Sequence, residues 1–323
     1  MQRREFLAVL GGAATWPHAA SAQQRRPARI GVLHPFASPH PWTAGLRRGL
    51  HDLGYVEGKT IVIDERGSDG RDELLEGLAR TLIDSKVDAL VIMTGPALLA
   101  ARAQTSTVPI VMAVSSDGVG TVGVASLVRP GGNVTGLTLM SPDLAGLRLS
   151  LLKDAVPAAK RIAVLYNPAE RVTADELRQT AVAAGKLGVA LQPVETHSGD
   201  SLDQAFANAV SGGADAFITF SHRFSLSHRS RIAELAVQHR LPAMYGWREF
   251  AEAGGLMVYG PNVADSLHRA ASFVDRILKG GNPAEMSIEQ PTKFELIINL
   301  KTARALGLEI PAALLVRADE VIE

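Results

Sequence analysis

The chain reads as an α/β protein of two doubly wound lobes with a cleft between them. Three observations carry that reading. First, short unbroken apolar runs, such as residues 90–93, alternate with amphipathic stretches of helical length. Strands covered on both faces by crossover helices have that pattern. Second, the order of elements occurs twice. Arg29, Gly54, Asp88 and Pro109 find counterparts in Arg161, Gly188, Asp215 and Pro242, each about 130 residues later. Third, 323 residues of which 46% are apolar suffice for two cores of ordinary size.

Residues 29–33 make a short apolar strand running into His34 and Pro35, with Phe36 next. Residues 42–53 have helical spacing and stop at Gly54. A strand over 59–65 and an amphipathic helix over 71–83 follow. Residues 87–93 form the central strand, turning at Thr94-Gly95-Pro96-Ala97 into a helix that ends near Gln104. Thr94 suits a cap, Gly95 a close turn and Pro96 a first helical turn. Alone, this reads as an ordinary strand-to-helix turn. Its free amides become interesting because the chain builds the same sheet edge twice, and helix N-termini favour anions. Residues 109–114 lead to Ser115, Ser116 and Asp117; a Pro130-Gly131-Gly132-Asn133 turn then precedes a strand over 134–139.

The second copy runs from a strand at 161–166, ending in Tyr166, Asn167 and Pro168, through a helix stopped at Gly188. Strands at 214–220 and 242–244 follow. The tail adds a strand at 256–259, a helix over 264–278, an extended stretch over 283–300 and a short helix to Gly307. Crossings near 139, 260 and 285 assign residues 28–139 and 260–284 to lobe I, and 140–259 and 285–323 to lobe II. Each lobe is then a Rossmann-like sheet with right-handed crossovers, and a hinge-linked cleft lies between the facing C-terminal edges.

Composition excludes several functions. Lys and Arg total 33, as do Asp and Glu, and no basic stripe carries interleaved aromatics, which argues against nucleic acid. Without cysteine there is no disulfide and no thiolate metal site. Gly118-Val119-Gly120-Thr121-Val122-Gly123 matches a dinucleotide fingerprint, but it follows a late strand, and Pro130-Gly131-Gly132 interrupts the helix it needs. His34 and His40, like His222 and His228, are six apart and do not share one helical face, so no metal is expected. No G-x-S-x-G, P-loop or H-E-x-x-H occurs, and no spacing assembles a nucleophile–base pair. No cofactor is expected.

Arg3-Arg4-Glu5-Phe6-Leu7, a modest apolar stretch over 7–16 and Ala20-Ser21-Ala22 make residues 1–22 a twin-arginine-type signal peptide, cleaved after Ala22. The apolar stretch is too short and glycine-rich to span a bilayer. The mature chain is expected in the periplasm, without stable membrane insertion.

Four further stretches carry a family resemblance: Gly54-Tyr55-Val56-Glu57-Gly58-Lys59; Arg129-Pro130-Gly131-Gly132-Asn133-Val134-Thr135-Gly136; Pro291-Thr292-Lys293-Phe294-Glu295-Leu296-Ile297-Ile298-Asn299-Leu300-Lys301-Thr302-Ala303; and Leu315-Val316-Arg317-Ala318-Asp319-Glu320-Val321-Ile322. Together they resemble the ABC-transporter solute-binding proteins whose better-known members capture tryptophan, tyrosine or phenylalanine. The resemblance spans essentially the whole mature chain. It implies a type I periplasmic-binding fold, a monomer, and delivery of a small solute to an inner-membrane ABC permease. It places a ligand carboxylate near Thr94, Gly95, Pro96 and Ala97, with Ser115, Ser116 and Asp117 from the same lobe. Tyr166, Asn167, Glu170 and the turn holding Ser221 and His222 close from the other. The chain departs from relatives in having Ser221-His222-Arg223 where Asp-Asn is frequent, and Tyr245-Gly246-Trp247-Arg248-Glu249 where an Asp is frequent.

The residues themselves extend this set. His34 and His222 follow equivalent strand ends, and Phe36 stands beside His34 as a further candidate for the ligand site. Tyr245 and Trp247 read as a stacking wall, and Arg248 as a guanidinium for a ligand carboxylate. Trp247 reads equally as packing under the next helix. Asp117 and Glu249 serve as amine partners or as helix caps. The expected function is capture of a small carboxylate-bearing solute, amino-acid-like or aromatic, for an ABC importer. A protein presenting solute to a membrane receptor is the alternative, and a secreted enzyme on the same scaffold is less supported. For export, replacing Arg3 and Arg4 by Lys should leave the precursor in the cytoplasm. A processed, periplasmic double variant on fractionation would rule out the twin-arginine route.

Overall fold

A computed structural model describes residues 26–115, 124, 126–139, 141–169 and 173–323. The signal-peptide reading, the glycine motif at 118–123, Ser116, Asp117 and Glu170 lie outside the described residues. In lobe I, β1 (Ala28–His34), β2 (Ile61–Gly67), β3 (Ala89–Met93), β4 (Ile110–Val114) and β5 (Val134–Gly136) form a parallel sheet of order β2-β1-β3-β4-β5. Every residue of β3 and β4 is buried, as their unbroken apolar sequences require. α2 (Leu75–Asp84) and α3 (Gly95–Gln104) cover one face. α1 (Thr43–Asp52) covers the other.

Lobe II follows through α4 (Ser141–Ala155), β6 (Arg161–Tyr166), α5 (Thr173–Leu187), β7 (Ala190–Glu195), α6 (Leu202–Ser211) and β8 (Ala216–Thr219). Then come α7 (Arg223–Ser227), α8 (Arg229–Gln238), β9 (Ala243–Tyr245), α9 (Glu249–Glu252) and β10 (Met257–Pro261). α10 (Val263–Leu278) returns to lobe I and packs on α1. The chain re-enters lobe II with β11 (Phe294–Asn299), α11 (Leu300–Leu306), α12 (Ala312–Arg317) and β12 (Glu320–Ile322). The second sheet runs β12-β11-β10-β9-β8-β6-β7, and only the β10–β11 pair in it is antiparallel.

The internal repeat is physical. The Asp88 carboxylate accepts from the Arg29 amide at 2.8 Å, and that of Asp215 from the Arg161 amide at 2.9 Å. Gly54 (φ 88°) and Gly188 (φ 63°) end α1 and α5 in the left-handed region. The next amides then reach back to Leu50 and Ala184 at 3.0 and 3.1 Å. Leu90 and Phe217 donate to the carbonyls of Pro109 and Pro242 at 2.8 and 2.9 Å.

Two boundaries differ from the sequence reading. β5 stops at Gly136, whose φ is 121° and whose Cβ position lies 2.1 Å from the Met112 carbonyl oxygen, so no side chain fits there. The third crossing lies between residues 289 and 294 rather than near 285. Met286 and Ile288 are buried in lobe I, and Ile288 and Glu289 donate to Leu127 and Gly136 at 2.7 and 2.8 Å. Two apolar anchors thus hold the chain in lobe I for several residues more. The second crossing follows β10, where the Asn262 side chain caps α10 by accepting from Asp265 at 2.7 Å.

Helices α1 and α10 approach at glycine. A Cβ on Gly49 would lie 2.3 Å from the His268 carbonyl oxygen and 2.7 Å from the Ala271 Cβ. Gly49→Ala should destabilise by about 1–3 kcal/mol through overpacking. Gly77→Ala on α2, where nothing lies within 4 Å, should be neutral or stabilising by up to ~1 kcal/mol. Urea midpoints of the two variants test the contrast; equal midpoints would refute it.

Candidate functional site

The C-terminal strand edges of the two lobes face each other across a cavity of about 760 Å³. Lobe I contributes Phe36 beyond β1, Gly70 and Asp72 beyond β2, Thr94, Gly95 and Pro96 beyond β3, and Val114 at the end of β4. Lobe II contributes Asn167 beyond β6, His197 beyond β7, His222, Arg223 and Phe224 beyond β8, and Trp247 beyond β9. Trp42, Glu76, Ser227 and His228 complete the polar and aromatic lining. A volume between roughly 300 and 1,000 Å³ is typical of small-molecule sites.

Thr94 has φ 88° and ψ 154°, backbone that favours glycine. Such strain costs about 1–3 kcal/mol and is held by its surroundings, here a hydrogen bond from the Thr94 amide to the Val114 carbonyl. The Thr94 hydroxyl is buried and makes no hydrogen bond among the described residues. The turn sets the N-terminus of α3 against the cavity, with no acidic residue in the helix's own first turn, so the positive end of its dipole faces the cavity.

Aromatic faces come from both lobes. Trp42 and Trp247 lie 5.5 Å apart between centroids, and Phe36 meets Trp42 edge-on at 5.3 Å. The Trp42 indole donates to Glu249 Oε1 of lobe II at 2.6 Å, and the Trp247 indole to the His222 carbonyl at 3.3 Å. A second bridge joins the lobes: Arg223 donates to Asp72 Oδ2 at 2.9 Å and to the Gly70 carbonyl at 3.4 Å. Its Nε is buried and makes no hydrogen bond among the described residues.

Of the residues read from sequence, Phe36, Thr94, Gly95, Pro96, Asn167, His222 and Trp247 line the cavity. Ala97 and Ser115 are buried outside the lining. Tyr166 donates to Glu195 at 3.2 Å and lines only a small adjoining pocket. Ser221 is buried off the cavity. Tyr245 is core, stacked on Phe250 at 4.1 Å, because β9 carries it inward one residue before the turn. Arg248 is corrected most clearly. It sits past the turn at the start of α9, where Glu252, Glu295 at 3.4 Å and Glu320 gather it on the surface. Glu249 holds Trp42 rather than lining the cavity.

His34 lies one layer below, fully buried, with Nε2 3.1 Å from Glu65 Oε1. The His40 amide donates to the same oxygen at 2.7 Å. Burial alone raises the Glu65 carboxyl, but hydrogen bonds from His34 and the His40 amide outweigh it and bring the value to about 2. Burial, then the His34 ring, lowers His40 to about 4. The polar and aromatic cavity residues missed from sequence are Trp42, Asp72, Glu76, His197, Arg223, Phe224, Ser227 and His228. Asp72, His197 and Arg223 carried one usable signal: each lies just past the C-terminal end of a strand.

Among the described residues no cluster of His, Asp or Glu suits a metal, and no helix is long and apolar enough to cross a membrane. Residues 32–322 match the family described as ABC transporter substrate binding protein. A tyrosine-binding protein of Clostridioides difficile is 26% identical over 269 residues, 82% of this chain and 76% of that protein. A Streptococcus pneumoniae ABC domain solved with L-Trp is 25% identical, with TM-score 0.84 over 92% of this chain and 100% of its own. A conserved domain protein from Vibrio cholerae O1 is 27% identical with TM-score 0.85, over the same shares.

His40 generates a prediction about acid stability. Its value falls from 6.5 to about 4 on folding, so the folded state resists its protonation. The stability contributed by the neutral ring is full above pH 6.5 and is lost as pH falls toward about 4. Tm should drop across that window, and less steeply in His40→Gln. Parallel curves for the two proteins would assign the loss to other groups.

Proposed function

Because the chain belongs to the ABC transporter substrate-binding protein family and has its two-lobed type I periplasmic-binding fold, we propose that it captures a small aromatic, carboxylate-bearing solute between its lobes. The solute then passes to an ABC permease. One observation carries this reading: aromatic faces from both lobes, the N-terminus of α3 and the Arg223 guanidinium meet in a single cavity. The aromatic faces suit a ring, and the helix end and guanidinium suit a carboxylate. Asp72 and Glu76 on the lobe I wall supply acceptors for an amine, which favours an amino-acid-like solute. The names of two relatives point the same way, one being tyrosine-binding and one solved with L-Trp. In this reading the mature protein starts after Ala22, works in the periplasm as a monomer, and binds rather than transforms its solute.

A thermal-shift screen against amino acids, aromatic acids and small carboxylates should find an anionic or zwitterionic aromatic binder. A best binder that is cationic or uncharged would refute the reading. Charge-assisted contacts contribute about 1.5–3 kcal/mol, so calorimetry should show Arg223→Ala weakening that binder by about tenfold to over a hundredfold. Arg248→Ala, at an exposed surface cluster, should change affinity by no more than about fivefold. Equal affinity of Arg223→Ala and wild type would remove Arg223 from the site.

A further inference from the structure

The aromatic half of the cavity holds a contact between lobes that solute capture, as described, leaves unexplained. Trp42 stands at the start of α1 in lobe I, and Trp247 just past β9 in lobe II. Their ring centroids lie 5.5 Å apart with the planes tilted by 36°. Both residues border the cavity, yet Trp42 is only 8% exposed and Trp247 only 4%. Phe36 and His40 steady Trp42 from its own lobe, meeting its ring edge-on at 5.3 and 4.9 Å.

The Trp42 indole donates across the cleft to Glu249 Oε1 at 2.6 Å. Among the described residues this is the one hydrogen bond of the Glu249 side chain, whose Oε2 is buried without a partner. The Trp247 indole is committed within its own lobe, to the His222 carbonyl. Both rings are therefore held by their N–H groups. The other link between lobes is of a different kind. Arg223 and Asp72 are partly exposed and both border the cavity, so water and solute compete for that pair. Glu249 does not border the cavity, so a solute neither supplies nor displaces its bond to Trp42.

Net of hydration, a hydrogen bond to a charged acceptor favours the arrangement that makes it by about tenfold to over a hundredfold. The indole pair adds about two- to tenfold. A hydrogen bond fails beyond about 3.5 Å, so parting Trp42 from Glu249 by only about 1 Å forfeits it. Rings already in place bind without a further ordering cost, and a protein only partly in its competent arrangement loses affinity in proportion. We propose that Glu249 is a positioning residue: through Trp42 it holds the two lobes together and sets both indoles as an aromatic wall that does not depend on solute for its assembly. The proposal rests on the capture reading for the use of that wall, and it assigns control of the wall to a residue outside the cavity.

The chain itself supplies the reporter. Of its three tryptophans, Trp16 falls in the segment read as a signal peptide, so the mature protein carries only Trp42 and Trp247. Tilted indoles in contact give paired circular-dichroism bands of opposite sign, an exciton couplet. The mature protein should show the couplet with no solute added, and Trp42→Phe and Trp247→Phe should each abolish it. Glu249→Ala should lose most of it, whereas Glu249→Gln, whose amide oxygen still accepts from the indole, should retain it. A merely structural role in α9 would lower the melting temperature and leave the couplet in place. No couplet in wild type, or an undiminished one in Glu249→Ala, would overturn the proposal. If Glu249→Ala does not fold, Trp42→Phe decides, because it keeps a ring and removes the donor. Acrylamide should then quench the fluorescence of Trp247 readily as water reaches it, and a Trp247 still shielded would overturn the proposal. L-phenylalanine and L-tyrosine, which add no indole signal, probe binding by calorimetry. Glu249→Ala should weaken whichever binds by about tenfold or more, with Glu249→Gln close to wild type. Equal affinities of wild type and Glu249→Ala would overturn the wall's part in binding even if the couplet is lost. Failure of both probes to bind wild type would count against the capture reading, while the couplet would still judge Glu249.

Discussion

A single kind of hydrogen bond sets the geometry of both lobes. Asp88 and Asp215 stand immediately ahead of the central strands, and their carboxylates take the amides of Arg29 and Arg161 at the start of the neighbouring strands. This pins β1 against β3 and β6 against β8 at their beginnings. Register in a parallel sheet decides which side chain faces which layer, so a slip of one residue would turn every apolar side chain to the wrong face. It also decides where the strands end. Thr94, Asn167 and His222 reach a common cavity because the strands before them start at matched heights. Aspartate suits these two positions because its short side chain accepts from a neighbouring amide without competing with the ladder itself.

The groups that join the lobes also surround the cavity. Trp42 reaches Glu249 and touches Trp247, while Arg223 reaches Asp72 and Gly70. These contacts are made only when the lobes are together. A solute that engages Arg223 or stacks on the tryptophans adds to the same set of contacts, and it favours the joined arrangement by its differential affinity for that arrangement. Arg223 is the more exposed of these links, with a quarter of its side chain accessible and one nitrogen without a partner among the described residues. It can therefore hold Asp72 and still offer a donor to an anion.

Much of the fold was legible because its signals are periodic. Unbroken apolar runs became buried strands, left-handed glycines ended helices, and the repeat spacing located the second lobe. The Thr94 turn was legible for a different reason, since threonine, glycine and proline at a strand-to-helix join describe a backbone path. Side-chain direction around a turn leaves no such trace. Trp247 and Arg248 are adjacent, yet the first turns into the cavity and the second is drawn outward by three carboxylates from α9, β11 and β12. Two of those carboxylates are distant in sequence, so nothing near Arg248 announced them. Arg223 was overlooked beside His222 because its partner, Asp72, belongs to the other lobe. The late third crossing had the same cause: Met286 and Ile288 look like any apolar pair until the lobe I core that receives them is known.

Helix α10 has a consequence in time as well as in space. It covers one face of the first sheet, resting on Gly45 and Gly49 of α1 and burying Leu267, Phe273 and Val274. Yet it lies beyond β10, after most of the second lobe. A ribosome making this chain releases β1 to β5 long before the helix that completes their core. Chains usually fold domain by domain from the N-terminus during synthesis. Here the first lobe must wait, one apolar face uncovered, until nearly the whole chain has emerged. The two lobes thus finish folding together, and neither has a contiguous gene segment of its own.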